Sequence, residues 1–318
     1  MFRRLLVLGG GGAAATAGYN YMKKKPQPVV EMEENKFVNN LNELNNTKIE
    51  YEDALSPKDF KPFKLKEIKT LTHDSAIFTF ALEDNQDGLA VPLKMNVPVA
   101  SCIVAKGDVD GETVIRPYTP INRPSDIGFM DLLIKTYPTG KLSKYFHQLK
   151  VGDSVEFKGP FVKINYKPNL KKDLAFIVGG TGIAPAFQMI QEVLSNTKED
   201  KTKITLLYAN RTPEDVLLKK ELDDLANKYP QQFSIYYTVD NDPKNTADAS
   251  IKGRGFVTED MIKQANIPQP GENVLVSVCG PAPFYTLLSG QKKSPQEQGE
   301  LSGLLKQMGY SESNVFKF

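Results

Sequence analysis

The chain has 318 residues, enough for two domains each with its own core. Lys and Arg number 40 against 38 Asp and Glu, and no tract interleaves basic with aromatic residues, so nothing argues for nucleic acid as a partner. Two cysteines without a C-x-x-C spacing and two histidines argue against a metal, haem or iron–sulfur centre, which leaves redox or transfer chemistry to a bound organic cofactor.

Residues 5–22, LLVLGGGGAAATAGYNYM, carry no charge; Arg3 and Arg4 precede them, Lys23 to Lys25 follow, and the first acidic residue is Glu31. As a helix this run spans roughly 27 Å, close to the hydrocarbon core of a bilayer. Residues 1–22 are therefore expected to form a membrane anchor or targeting segment. The basic, acid-free start also suits a mitochondrial-type presequence, a secretory signal suits the rest of the chain less well, and a disordered glycine-rich leader is the bland alternative. Residues 23–57 are polar and read as a tether.

From 58 to about 168 the runs FKLKEIKTL, SAIFTFAL, VASCIVAK, TVIRPYTP, GFMDLLIKTY and DSVEFKGP alternate or stay apolar between Gly, Asp, Asn and Pro turns. That spacing predicts an antiparallel β-barrel or sandwich. In RPYTP, Arg116 is a fixed cation, Tyr118 a planar ring with a hydroxyl, and Thr119 a second hydroxyl. They suit a cofactor with a pyrophosphate and a flat ring, though an edge strand with an ordinary surface arginine accounts for them as well. PTGKLSKY, residues 138–145, reads as a turn into a short helix, with the amides of Lys141, Leu142 and Ser143 after Gly140 free to face an anion. A plain helix start is the alternative.

From 173 to 318 the period changes. LAFIVGG reads as a strand, APAFQMIQEVLSN as a helix, KITLLYAN as a strand, and PEDVLLKKELDDLANKY as one helix with Pro213 near its start. FSIYYTVD, NVLVSVCG and FYTLLSG continue the alternation, which predicts a parallel sheet with covering helices and ligands at its carboxyl edge. GGTGIAP (179–185), Asp240 at the end of YTVD, and CGPAP (279–283) fall at such edges. The first of these is not the G-x-G-x-x-G dinucleotide fingerprint, because Pro185 stands where the third glycine would be.

RPYTP, GKLS, GGTGIAP, CGPAP and an aromatic C-terminus, in this order, resemble the ferredoxin–NADP reductase-type flavoenzymes. Within that family the chain is similar to the NADH–cytochrome b5 reductases across roughly 60–318, and the leader with its tether resembles the fungal mitochondrial form. The resemblance implies a β-barrel FAD-binding domain followed by a Rossmann-like NAD-binding domain. It implies hydride transfer from NADH to FAD and single electrons onward to cytochrome b5, in a monomer held at the mitochondrial outer membrane. A relative with another one-electron acceptor, a quinone or NADPH is the alternative. Arg116, Pro117, Tyr118 and Thr119 would hold FAD, Ile134, Lys135 and Tyr137 would line its other side, and Gly140, Lys141, Leu142 and Ser143 would take its pyrophosphate. Gly179, Gly180, Thr181 and Gly182 would lie where flavin meets nicotinamide, with Cys279, Gly280 and Pro281 facing the nicotinamide and Phe318 near the flavin. Lys135, Thr181 and Cys279 are the catalytic candidates. Asp240 would accept hydrogen bonds from the adenosine ribose and repel a 2′-phosphate, favouring NADH. Phe284 and Ala282 depart from the methionine and proline common in the family. A basic patch for the haem protein is expected among Lys141, Lys144, Lys163, Lys167, Lys171 and Lys172.

Overall fold

Period-two burial along KPFKLKEIKT and SAIFTFA makes the first two strands one-sided, β1 (Lys61–Thr70) and β2 (Ser75–Ala81), as an antiparallel sheet over a core requires. The structure is a computed structural model, and it describes residues 51–318 apart from 87–88, 244–245 and 247. Four further strands complete this sheet: β5 (Ser101–Val109), β6 (Glu112–Tyr118), β7 (Phe129–Lys135) and β8 (Ser154–Val162), in the order β6-β5-β8-β1-β2-β7, every pair antiparallel. A bridge between Pro120 and Leu132, with the Ile121 N–H donating to the Asp131 carbonyl at 2.9 Å, joins the two edges and closes a barrel. A short hairpin, β3 (Glu83–Gln86) and β4 (Leu89–Pro92), lies outside it.

Helix α1 (Lys141–Gln148) adds Leu142 and Phe146 to the barrel core, where the fully buried Phe146 ring stands edge-on to Phe78, Phe80 and Tyr118. The core is thus aromatic at the end where the RPYTP segment leaves β6.

The second sheet is all parallel: β9 (Asp173–Gly179), β10 (Lys203–Asn210), β11 (Phe233–Val239), β12 (Ile251–Arg254), β13 (Val274–Cys279) and β14 (Val315–Lys317), ordered β12-β11-β10-β9-β13-β14. Its central strands are apolar on both faces because both are covered. Phe176 and Val178 face a core with α2 (Ile183–Ser195) and α3 (Lys219–Lys228), while Ala175 and Ile177 face one with α4 (Glu259–Gln264), α5 (Ala282–Leu288) and α6 (Gly303–Gln307). The first of these cores includes Val99, Ala100, Ile121 and Leu133 of the barrel half, so the two halves share buried apolar surface.

Chain order runs outward from β9 through β12 and then returns to the other side of β9 with β13, which makes the carboxyl ends of β9 and β13 the switch point. From α2, Gln191 Nε2 donates to the Ile121 carbonyl at 2.7 Å and Gln188 Nε2 to Pro120 at 3.4 Å, tying the helix after GGTGIAP to the residues after RPYTP.

One sequence expectation needs correction. PEDVLLKKELDDLANKY is not one helix: Pro213–Asp215 is a 3-10 turn, Leu218 is left-handed (φ 55°), and α3 starts at Lys219. The break lets Val216, Leu217 and Leu218 all point into the core, which consecutive helical residues could not do. FYTLLSG, which follows the strand NVLVSVCG in the alternation, falls largely within α5. The expected anchor over 1–22, and the tether as far as residue 50, lie outside the described residues; among those described, no helix is long and apolar enough to cross a membrane.

Candidate functional site

Gly140 stands at the N-terminus of α1 in extended conformation, with no side-chain cap and no acidic residue in the first turn. The Ser143 hydroxyl is used inside the turn, accepting from the Tyr137 N–H at 3.3 Å and donating to the Gly140 carbonyl at 3.1 Å. A Cβ on Gly140 would lie 2.3 Å from that hydroxyl, so glycine is what lets the turn close. The first amides of the helix, with its positive end, then face outward as an anion cradle. Lys141 pairs with Glu112 across from it.

On β6 the Arg116 guanidinium is exposed and, among the described residues, donates to its neighbour's Ile115 carbonyl at 2.8 Å. Pro117 is exposed, while Tyr118 and Thr119 are half-buried. Burial pushes the Tyr118 phenol well above its ordinary range, so it stays a neutral hydrogen-bonding group. The Ile134 side chain, expected to line the flavin, is 2% exposed inside the barrel core and presents only backbone to a ligand; that of Leu142 is buried in the same core at 2%, which leaves its amide for the role expected of it.

Across the crevice, Gly180 adopts φ +55° with nothing within 4 Å of where a Cβ would point, and the buried Tyr208 hydroxyl holds its carbonyl at 3.0 Å. A Cβ on Gly182 would lie 2.3 Å from the Cys279 carbonyl oxygen and 3.0 Å from the Gly280 nitrogen. The GGTGIAP turn and the end of β13 therefore meet backbone to backbone, a packing that replaces the third glycine of the usual fingerprint. Phe284 packs on Gly280 and Gly179, where a Cβ on either glycine would lie 2.7 or 3.5 Å from its ring, respectively. Burial raises the Cys279 thiol to about 11, so it is neutral and no nucleophile at neutral pH. Pro281 is exposed at the start of α5. The Phe318 N–H donates to Val278 at 3.0 Å and its carbonyl accepts from Tyr285 at 2.7 Å, which fixes the C-terminal ring beside the end of β13.

The barrel half reaches this crevice through the end of β7. Tyr137 Oη lies 3.2 Å from Thr181 Oγ1. Lys135, expected to line the flavin site, has its ammonium 2.9 Å from Asp74 and 3.7 Å from Asp215. Asp240 is exposed just past β11; burial of its carboxyl raises its pKa while Arg211 opposes the rise. Sequence reasoning missed three residues here: Tyr208 and Asp215, which no local pattern marks, and Phe256. The Phe256 side chain is 76% exposed next to Gly255, whose N–H donates to Val239 at 2.8 Å. An exposed ring after G-R-G at a strand end was the available signal.

An anion cradle at a helix start, an unpaired arginine beside two hydroxyls, and an open left-handed glycine facing them fit a flavin dinucleotide with a second nucleotide opposite. Residues 62–166 match the family described as the oxidoreductase FAD-binding domain, and 176–289 the oxidoreductase NAD-binding domain. The chain is 45% identical over 258 residues to NADH-cytochrome b5 reductase 2 of Candida glabrata, covering 80% of this chain and 82% of that one. It is 42% identical over 257 residues to the Aspergillus terreus protein of the same name, covering 80% and 77%.

The chain belongs to the NADH–cytochrome b5 reductase family.

Among solved structures, the cytochrome b5 reductase domain of Ulva prolifera nitrate reductase superposes with a TM-score of 0.69 at 30% identity, covering 84% of this chain and all of that one. Flavohemoglobin from Malassezia yamatoensis shares the fold alone, with a TM-score of 0.61 at 17% identity, covering 81% and 59%. For a reductase of this family, the switch-point crevice is the site to which donor and flavin must both come.

Proposed function

We propose that this chain is an NADH–cytochrome b5 reductase: it accepts the electrons of a hydride from NADH and passes them singly to cytochrome b5. The observation that carries the reading is the crevice itself, where Gly180 and Gly182 of β9's turn, Cys279 of β13 and Tyr137 of the barrel converge. FAD, when bound, supplies the conversion between a two-electron donor and a one-electron acceptor.

The chain's own residues bind, orient and exclude water. Arg116 and the amides of Lys141 and Leu142 hold the FAD pyrophosphate, and Tyr118, Thr119, Thr181 and Phe318 bound the flavin ring. Cys279, Gly280 and Pro281 face the nicotinamide, with the backbone of Cys279 and Gly280 packed closely against Gly182. Lys135 offers a cation to the nicotinamide dinucleotide. Asp240 accepts from the adenosine ribose, with Phe256 beside it as a flat apolar platform. The neutral Cys279 thiol packs and takes no proton.

Residues 1–22 anchor the protein at the mitochondrial outer membrane as a monomer; their uncharged run between Arg3–Arg4 and Lys23–Lys25 supports this. Lysines 144, 167 and 172 form part of a basic face for the acidic haem protein. The test is NADH-driven reduction of purified cytochrome b5, followed at the haem bands with the full chain. Rapid reduction that slows with added salt is expected. Turnover of NADH with ferricyanide but none with cytochrome b5 would assign a different acceptor.

A further inference from the structure

Lys135 closes β7 of the barrel half, whereas Asp215 ends the 3-10 turn after β10 in the other half. Their charged groups nevertheless share one nearly buried cluster. The Lys135 ammonium lies 2.9 Å from Asp74 Oδ2 and 3.7 Å from Asp215 Oδ1, with Lys135 11% and Asp215 8% exposed. Each carboxylate is oriented by its own chain. Thr72 and Ser75 hydroxyls donate to Asp74, each at 2.9 Å, and Thr212 Oγ1 donates to Asp215 at 3.1 Å. His73 spans both carboxylates, 3.4 Å from Asp74 and 4.0 Å from Asp215. The three could ligate a metal, but the Lys135 ammonium is already among them.

The strand order says what this cluster overlooks. β10 lies between β9 and β11. On the reading above, on which this inference rests, nicotinamide sits past β9 and the adenosine ribose near Asp240, past β11. The diphosphate joining them must cross the end of β10, where the turn bearing Asp215 begins. A lone carboxylate there would repel it. An ammonium has three donors; Asp74 at 2.9 Å takes one of them, while Asp215 at 3.7 Å acts as an ion-pair partner at longer range.

We propose that Asp215 is a positioning residue. From the nucleotide half it holds the Lys135 ammonium of the barrel half over the end of β10, so that the dinucleotide's phosphate site is complete only where the two halves meet.

The experiment is a double-mutant cycle on the full, FAD-retaining chain, reading the equilibrium Kd for NAD+ together with KM and kcat for NADH with ferricyanide as acceptor. Lys135→Ala is expected to raise Kd and KM about tenfold, the scale of one lost charged hydrogen bond. Asp215→Ala should raise both about fivefold with kcat within about twofold, and Asp215→Glu should restore them. In the Lys135→Ala background, Asp215→Ala should add no further loss, and any change should be toward tighter binding, because the carboxylate left there without its cation repels the diphosphate. Asp215→Asn, which keeps a partner for Thr212, serves if the alanine variant does not fold. The same penalty with or without Lys135, or tighter NAD+ binding in Asp215→Asn, would overturn the proposal. A Lys135→Ala variant with unchanged Kd and KM would refute the assignment of Lys135 to the dinucleotide, and the proposal with it.

Discussion

The Tyr137 hydroxyl of the barrel half lies 3.2 Å from the Thr181 hydroxyl of the nucleotide half, at the mouth of the crevice between β9 and β13. This hydrogen bond joins the end of β7 to the turn that begins at the open, left-handed Gly180. Tyr137→Phe removes it while keeping the ring. The expected cost is about 1 kcal/mol of stability, read as a thermal midpoint lower by about 2–4 °C. A larger relative loss in kcat/KM for NADH should accompany it, and an unchanged kcat/KM would show that the contact is structural only.

Gly182 admits no side chain. An alanine Cβ would stand 2.3 Å from the Cys279 carbonyl oxygen and 2.6 Å from its carbon, both main-chain atoms that cannot rotate away. Gly182→Ala must therefore part the ends of β9 and β13, at a cost of about 1–3 kcal/mol. NADH-driven reduction should fall by more than about tenfold, while FAD absorbance per protein stays near the parent value because the cradle at Gly140 belongs to the barrel half and the change parts two strands of the other half. Loss of FAD with retained NADH binding would contradict this division of labour.

Asp74 links the site to pH. Burial acts to raise its pKa, but hydrogen bonds from Lys135, Ser75 and Thr72 outweigh it and leave the carboxyl below its ordinary 3.8. A carboxyl depressed in the folded state contributes stability above its unfolded pKa and loses it as pH falls through the folded value. Asp74→Asn should therefore lower the thermal midpoint at pH 7, on the order of 3 °C. The gap to the parent should shrink as pH drops below 3.8. A gap that is constant from pH 7 to pH 2.5 would show that the charge of Asp74 is not what stabilises.

Lys317 is 2% exposed near the C-terminus, and its ammonium donates to the carbonyls of Glu300 at 2.8 Å and of Gln291 and Gly299 at 3.3 Å each. Burial pushes its pKa down, and Glu312 and Glu300 pull it back up. One side chain thus pins both ends of the segment between α5 and α6. Lys317→Met would fill the space and leave those carbonyls without a donor, destabilising by about 2–3 kcal/mol. Limited proteolysis should then cut between residues 290 and 300, and a cleavage pattern identical to the parent's would show the segment is held by other contacts.

Much of this was legible in the sequence because it is local. Strand alternation marked β1, β2 and β5 to β8, and the change of period after residue 173 marked the parallel sheet. Glycines 140, 180 and 182 stood out because close approach or a left-handed turn admits little else. What could not be read was set by tertiary packing. Val216 to Leu218 look helical until a core takes all three side chains, and β14, with three residues, is too short to show a period. The partners of Lys135 could not be read either, because Asp74 and Asp215, the second of them in the other half, lie far from it in sequence. Ile134 alternates into the barrel core, a direction its motif match did not reveal.

The most direct test of the central claim is an anaerobic titration of the purified full-length chain with NADH, followed between 300 and 550 nm on the order of one equivalent at a time. A yellow protein is expected, whose flavin band bleaches with about one NADH per flavin, and less readily with NADPH if Asp240 holds the ribose as proposed. Colourless protein, or a flavin band that NADH leaves untouched, would contradict the assignment of donor and flavin to this crevice.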